Sequence, residues 1–482
     1  MKKTDYIILG LILLVAIILR CYKITAPLSD AYSWRQADTV SVARNFVRNG
    51  FDLLHPHYDD LSSIQSGLDN SKGLRFVEMP IYNALFGLTY KILPNIPIEV
   101  WGRITTLIFS LGIIGIIYYL CLHEVNRISA ITASGIYAIF PSFVFFSRVV
   151  LPETPALSFI FISIFFLYKN TTIDNKRLIS FLYLFLSLLS FALAILIKPT
   201  VIFYGIALGF LFIRKYEFDV VKKAQPYLFF LLAVIPFFLW RLYIQQFPEG
   251  IPASDWLIAS VNTFEGQKNI FFKPAFFRWI FFERINTMIF GGYLTVFFIV
   301  GLVSKRKSLF LHSIGFSALL YLFVFQGGNV QHEYYQTLIL PPLAIFTGIG
   351  ISTILSHRKI FIHPLVSSFL ICVLCIFAFL FSYYYKVKDF YTYPQDLNFM
   401  AKIIQTFTSP TDKIVADRMG DTTLLYLSDR KGSPLLSGTV EQLKNNGYQY
   451  VLTDQKKSIE ELLNEKGVQI IFQNNQFALL KL

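Results

Sequence analysis

Charge is scarce in this chain. Asp, Glu, Lys and Arg make up 15% of its 482 residues, where a soluble domain carries about 25%. That shortage excludes an ordinary water-facing globule over most of the length. Cysteine is scarcer still, with four residues: Cys21, Cys121, Cys372 and Cys375. All lie in or beside apolar runs, which excludes a disulfide framework for the exterior parts. Cys372 and Cys375 have C-x-x-C spacing, but within an apolar helix, where small packing residues are expected rather than a redox pair. Acidic residues number 30 against 43 basic ones, a formal net charge of +13. No basic stripe that would mark a nucleic-acid face accompanies that surplus.

What fills the chain instead is apolar: 55% of the residues are hydrophobic and 50 are Phe. Runs of about 14–20 apolar residues recur, as bilayer-spanning helices require. They fall near 6–22, 103–121, 128–147, 154–168, 178–197, 200–213, 226–243, 286–303, 309–325, 336–354 and 364–385, which predicts about eleven transmembrane helices. Lys2-Lys3 before the first run has the look of a signal peptide. Arg20-Cys21-Tyr22-Lys23 follows it with no small-x-small cleavage site, so an uncleaved first helix is expected.

Orientation follows from charge. With Met1 inside and the spans alternating, the inside segments hold Lys2, Lys3, Arg127, Lys169, Lys176, Arg177, Arg214, Lys215, Lys222, Lys223, Lys305, Arg306, Lys307, Arg358 and Lys359. Against these fifteen stand five acids, Asp5, Glu124, Asp174, Glu217 and Asp219, a surplus of ten. The positive-inside rule then puts the N-terminus in the cytoplasm. The first loop, the 241–285 segment and the C-terminal tail then face outside.

From Lys386 onward long apolar runs stop, and 12 basic residues balance 11 acidic ones. Asp396 is placed to cap a helix carrying Leu397, Met400, Ile404 and Phe407. Lys413–Ala416 and Tyr448–Thr453 read as strands. Thr439 starts a helix stopped by Asn446-Gly447. Ser458-Ile459-Glu460-Glu461 is a capping box, and Val468–Phe472 and Phe477–Leu480 form a hairpin pattern. This predicts a small extracytoplasmic α/β domain over 386–482, after a transmembrane domain over 1–385. It has no Gly-rich phosphate loop or metal-ligand cluster, and reads as a cap or recognition domain.

The most informative segment is the first outside loop, 27–80. A connector between two spans needs only a few residues; this one is long and rich in Asp, Arg, His and Trp. Five acids lie where outside segments meet the membrane: Asp30, Asp38, Glu78, Glu153 and Glu333. Arg35, Gln36, Arg103, Arg148, Lys198, Arg241, His332 and Tyr335 lie near them in the predicted topology. A carboxylate there can take a proton from an acceptor hydroxyl while cations stabilise a departing phosphate. Blander readings stand beside this one. Asp38 would cap the helix that follows it, Glu78 would be a solvated turn residue, and Arg103 and Arg148 would snorkel to headgroups. Glu153 would complement a helix macrodipole, and Lys198 would mark a helix end. No cofactor is specified, although the outside carboxylates are compatible with a divalent cation, Mg or Mn. His55-Pro56-His57 reads as a turn.

The ordered series Trp34-Arg35-Gln36-Ala37-Asp38-Thr39, Glu78-Met79-Pro80-Ile81-Tyr82, Trp101-Gly102-Arg103, Ser147-Arg148, Pro152-Glu153, Lys198-Pro199-Thr200 and His332-Glu333-Tyr334-Tyr335 resembles a bacterial branch of glycosyltransferase family 39. This is the dolichyl-phosphate-mannose-protein mannosyltransferase-like group of the GT-C superfold, and the series is also similar to the lipid A aminoarabinose transferases. The resemblance implies an inverting membrane enzyme that uses a polyprenyl-phosphate sugar. It places the catalytic carboxylate at Asp38, with Asp30 as rival, and a second acid at Glu153. Arg35, Gln36, Glu78, Arg103, Arg148, Lys198, His332, Glu333 and Tyr335 would bind substrate, and Arg35 would hold the Asp38 carboxyl low. The adjacent Asp-Glu pair that protein mannosyltransferases carry in this loop is missing between Asp30 and Asp38, which leaves the acceptor open among protein, lipid and glycan. Two other classes fit a polytopic chain: a secondary transporter or lipid-linked-glycan flippase, and a non-catalytic assembly protein. Transporters carry polar breaks near the midplane of repeated helices; here the polar residues gather at one face.

Overall fold

A computed structural model describes the chain except for residues 174–176, 255–260, 264–265, 269–273, 306–307 and 357–362. Asp174, Lys176, Arg306, Lys307, Arg358 and Lys359 of the charge argument lie outside the described residues. The chain divides into two compact units. The first comprises Met1–Ile24, Arg103–Arg241 and Ser254–Phe390; the second comprises Thr25–Gly102, Leu242–Ala253 and Tyr391–Leu482.

The first unit is helical, and each of the eleven apolar runs is helical over most of its length. Among the described residues, five segments are long and apolar enough to cross a bilayer alone: Ile98–Glu124, Arg177–Ile197, Ala224–Ile244, Glu333–Ser356 and the run Leu365–Phe407. Pro274–Ile289 and Leu294–Val303 form a sixth when taken together, bent by 114°. The expected eleven therefore includes shorter apolar helices, such as the 15 residues of Phe310–Val324. Leu178, Phe181, Leu365 and Phe369 stay exposed, as side chains facing lipid would.

Breaks in these helices have local causes. Phe140 takes an extended conformation before Pro141, ending Arg127–Ile139 and starting Pro141–Phe146. Pro141 has no N–H for the Tyr137 carbonyl. The buried Arg20 guanidinium supplies donors instead, to Tyr137 O at 3.0 Å, Ala138 O at 2.9 Å and Ser147 Oγ at 2.9 Å, as a break inside hydrocarbon requires. The bend at 290–293 uses Gly291 at φ +55°, where any Cβ would strike the Ala378 backbone. Small residues bring helices together elsewhere. A Cβ at Gly301 would meet the Phe346 carbonyl, and one at Gly350 the Phe297 carbonyl.

In the second unit, Val261–Thr263 (β1) and Gly266–Lys268 (β2) play no part, since they belong to the first unit, where they pair antiparallel. Its sheet is built from Lys413–Ala416 (β3), Gly432–Ser433 (β4), Tyr448–Thr453 (β5), Gln469–Gln473 (β6) and Ala478–Lys481 (β7), in the order β4-β3-β5-β7-β6. β3 is parallel to β4 and β5, and β7 is antiparallel to β5 and β6. Alternation along the strands sorts the core. Ile414, Ala416, Leu452 and Leu479 pack with Leu397, Met400, Ile404 and Leu424. Val415, Val451, Ala478 and Leu480 pack with Val440, Leu443 and Leu462 on the opposite face.

The sheet extends into the first loop. Leu61 N donates to Gly432 O at 2.7 Å and Gly432 N to Asp59 O at 2.9 Å. Two caps differ from expectation. Asp396 lies in the first turn of Gln395–Phe407, behind an N-cap at Pro394. Lys456–Leu463 begins before the Ser458 box, with its N-cap at Gln455. Thr439 caps Val440–Asn445 through a full capping box with Gln442.

Candidate active site

In the second unit Arg35, Gln36 and Asp38 lie on the helix Ser33–Asn49, whose N-cap Tyr32 is left-handed. Asp38 therefore stands inside the helix and not at its start, which removes the capping explanation for it. Its side chain is buried beneath the loop. Oδ2 lies 2.6 Å from Arg75 Nη2, and Oδ1 accepts the Thr422 hydroxyl at 2.7 Å. Burial pushes the Asp38 carboxyl above its ordinary value of 3.8, against the opposing pull of Arg75, Thr422 and Arg35. The expectation that Arg35 holds it low is thus corrected. Arg35 is engaged elsewhere, donating from Nη2 to both Glu78 oxygens at 2.5 and 2.7 Å. Glu78 is accordingly the partner of Arg35, and the solvated-turn reading fails. Gln36 Nε2 donates to Asp30 Oδ1 at 2.7 Å and to the Ala31 carbonyl at 3.0 Å, so Asp30 braces the helix entrance.

Sequence reading missed Arg75, Tyr58, Asp60 and Thr422. The Arg75 guanidinium lies 4.7 Å from the centre of the Tyr58 ring, a cation–π contact. Tyr58 OH donates to Asp60 Oδ2 at 3.2 Å, and Asp60 Oδ1 accepts from Ser62 N at 2.8 Å. Burial chiefly, with the nearby Asp38 charge, pushes the Asp60 carboxyl up to about 6. Asp59 takes a different part, accepting from Arg44 Nη2 at 2.5 Å. The adjacent acids Asp59-Asp60, later in the same loop than the Asp30–Asp38 stretch, were the available signal.

In the first unit the Glu153 carboxylate lies 2.8 Å from Lys198 Nζ, both side chains buried. Glu153 is the first residue of Glu153–Thr171, so the macrodipole reading and the ion pair hold together. Lys198 Nζ also stands 5.3 Å from the Tyr335 ring centre. His332, Tyr334 and Tyr335 stack in series, and Glu333 lies 3.5 Å from Arg284 Nη1 and 3.9 Å from Lys386 Nζ. Arg103 and Arg148 are fully buried and do not snorkel. Arg103 Nη1 donates to the Ile24 carbonyl at 2.8 Å, and Arg148 Nη1 to the Tyr22 carbonyl. An apolar cavity of about 340 Å³ in this unit is lined by Phe281, Phe298, Phe316, Leu319, Phe346 and His312 among others. Among the described residues no group of three or more His, Cys, Asp or Glu is placed to hold a metal ion.

Comparison with known proteins sets this geometry in a class. Residues 78–241 match the family described as dolichyl-phosphate-mannose-protein mannosyltransferase. That match takes in Glu78, Arg103, Arg148, Glu153 and Lys198. No curated protein matches the chain in sequence. The fold is similar to that of ArnT from Cupriavidus metallidurans bound to undecaprenyl phosphate, with a TM-score of 0.66 at 12% identity over 100% of this chain and 98% of that one. It is also similar to the oligosaccharyltransferase AglB from Archaeoglobus fulgidus in complex with an inhibitory peptide and a dolichol-phosphate (TM-score 0.57, 12% identity, 94% of this chain and 69% of that one). The mycobacterial arabinofuranosyltransferase AftD gives a TM-score of 0.57 at 11% identity over 100% of this chain and 41% of that one. The chain has the GT-C fold of polytopic membrane glycosyltransferases, as the resemblance in its sequence implied.

Proposed function

We propose that the protein is a polyprenyl-phosphate-sugar-dependent glycosyltransferase, acting at the outer face of a bacterial cell membrane with inversion. The observation that carries this reading is Asp38: a buried carboxylate in the first loop, held by Arg75 on one oxygen and Thr422 on the other. Asp38 takes the proton from an acceptor hydroxyl as that oxygen attacks the anomeric carbon. The bond from that carbon to phosphate breaks, and polyprenyl phosphate leaves with the electron pair. Arg103, Lys198 and His332 are assigned to the phosphate, and the Lys198 ammonium is held in place by Glu153. Arg148 supports the same region, and Glu333 and Tyr335 bind the sugar. Arg35, Glu78, Gln36 and Asp30 keep the helix of Asp38 in register. The apolar cavity suits a polyprenyl chain. The acceptor is a protein hydroxyl, a lipid or a glycan. Residues 1–385 form the transmembrane catalytic part and 386–482 an extracytoplasmic domain.

The test uses the purified chain in proteoliposomes, given undecaprenyl-phosphate-linked glucose, mannose or galactose in turn and a cell-envelope extract as acceptor. Release of undecaprenyl phosphate with incorporation of sugar is expected for one donor. Asp38→Asn keeps the shape and removes the basicity, and should cost at least the roughly 100-fold that acid–base catalysis supplies. Full transfer by Asp38→Asn, with loss in Asp30→Asn, would move the base to Asp30.

A further inference from the structure

We propose that Thr422, from the C-terminal segment, is a positioning residue for Asp38 that keeps the carboxyl group aimed in both of its protonation states. This rests on the reading of Asp38 as the base. Thr422 Oγ1 is buried and has one proton, with two acceptors in reach: Asp38 Oδ1 at 2.7 Å and the Trp34 carbonyl at 3.2 Å. While Asp38 is ionised, the hydroxyl donates to Oδ1. Once Asp38 carries the acceptor's proton, the hydroxyl turns its hydrogen to the Trp34 carbonyl. Its oxygen lone pair then accepts from the carboxylic O–H. Only hydrogens move, so the carboxyl keeps its direction through proton transfer and return.

The surroundings hold Thr422 still. Thr423 N donates to Asp421 Oδ1 at 2.8 Å, and Thr423 Oγ1 lies 2.9 Å from Ser33 Oγ on the helix that carries Asp38. One turn on, the Tyr426 carbonyl accepts from Arg44 Nη1 at 3.0 Å, and the Arg44 guanidinium lies 4.4 Å from the Tyr426 ring centre. The C-terminal segment, expected to be a cap or recognition domain, therefore also supplies part of the base's frame. This role differs from that of Arg75, which offers charge but no acceptor. Only a hydroxyl serves as donor in one state and acceptor in the other.

The experiment compares Thr422→Val, Thr422→Ala and Thr422→Ser in the full chain. Transfer is followed across pH, and in parallel the infrared carboxyl band of Asp38 is titrated, identified by its loss in Asp38→Asn. Arg75, Arg35 and Asp421 face Asp38, with Asp60 and Tyr58 behind Arg75; all remain in every variant. Loss of a hydrogen bond to a charged group costs about 1.5–3 kcal/mol, so kcat should fall about 10- to 100-fold in Thr422→Val and Thr422→Ala with KM unchanged. The acidic limb and the infrared midpoint should both move to higher pH. Thr422→Ser should restore both. Equal impairment in the serine and valine variants, or an unmoved midpoint in valine and alanine, overturns the proposal. If the wild-type chain transfers no sugar, the enzymatic reading fails while the infrared midpoint still decides the role of Thr422. A valine variant that does not reach the membrane leaves alanine and serine to decide by the same measurements.

Discussion

Replacing Arg75 with Met tests the central ion pair. The substitution keeps an apolar side chain to pack against Tyr58 and removes the charge 2.6 Å from Asp38 Oδ2. Two unit charges about 4 Å apart interact by about 4 kcal/mol in an effective protein dielectric, and removing one member of a buried pair costs about 3–5 kcal/mol. Asp38 has an escape, because it can bind a proton. Holding a carboxyl with an ordinary value of 3.8 in its acid form at neutral pH costs about 1.4 kcal/mol per pH unit, or about 4 kcal/mol at pH 7. The two routes cost nearly the same, so the penalty at neutral pH is about 4 kcal/mol at most and a substantial share of Asp38 becomes protonated.

The sign of the pH dependence follows. A carboxyl whose folded value is raised contributes stability that is fully present below its unfolded value and is lost as pH rises through the folded value. The Arg75→Met variant should match the wild type in thermal stability near pH 4 and fall progressively behind it toward pH 7. Its transfer rate should be low at neutral pH and climb as pH rises, by about tenfold per unit until Asp38 ionises. Melting in detergent and the pH profile of sugar transfer read the two effects. A stability gap of constant size from pH 4 to 8, or a rate profile superimposable on the wild type, would falsify the assignment of Arg75 as the counter-charge of the base.

Three further predictions follow from the same reasoning. Asp60, raised to about 6 from 3.8 by burial, should weaken the fold as pH rises from 4 through 6, so Asp60→Asn should be the more stable above pH 6, by up to about 3 kcal/mol, with the difference gone near pH 4; an unchanged melting curve across that window would count against it. Lys198→Met should lower stability by about 3–5 kcal/mol by stranding the buried Glu153, and Glu153→Leu in the same chain should recover most of it; additive losses in that double-mutant cycle would dissolve the pair. A phosphatase reporter fused after Leu482 should be active only if it folds outside the cytoplasm; activity of a cytoplasmic reporter at that position would invert the topology and move the first loop to the other face.

Much of the fold was legible because its signals are local. Apolar runs announced the helices, and the short β-branched and aromatic runs Lys413–Ala416 and Tyr448–Thr453 marked both strands to the residue. Thr439 capped its helix because the reciprocal partner Gln442 stands within one turn. Ser458 did not, since Ile459 and Leu462 pack on the sheet and draw the helix a turn earlier. The six residues of Thr423–Ser428 are too few to show a period. At the site, Asp38 and its helix were visible, but its partners were not. Arg75 lies at the far end of the same loop, and Thr422 is 384 residues away in sequence. Nothing local in Gly420-Asp421-Thr422-Thr423 marks the hydroxyl, because a lone threonine carries no charge and no spacing pattern.

The partners explain how one carboxyl can be both strong and ionised. A base bound tightly to cations in water would be a weak one, since each favourable contact with the charged form lowers its affinity for a proton. Burial of Asp38 works in the other direction and raises that affinity. Left unopposed, burial would leave a neutral acid too weakly basic to take a further proton. Arg75 and Thr422 oppose it with one charge and one hydrogen bond, placed on different oxygens. In the proposed mechanism burial raises the proton affinity of Asp38, the two partners favour its charged form, and the net upward shift is in the direction that general-base catalysis favours. Asp60 sits behind Arg75 with its own raised carboxyl, and in its neutral form it leaves the whole of the Arg75 charge to Asp38. Ionisation of Asp60 as pH rises through about 6 draws part of that charge away, so Arg75 is most fully committed to Asp38 on the acidic side of that value.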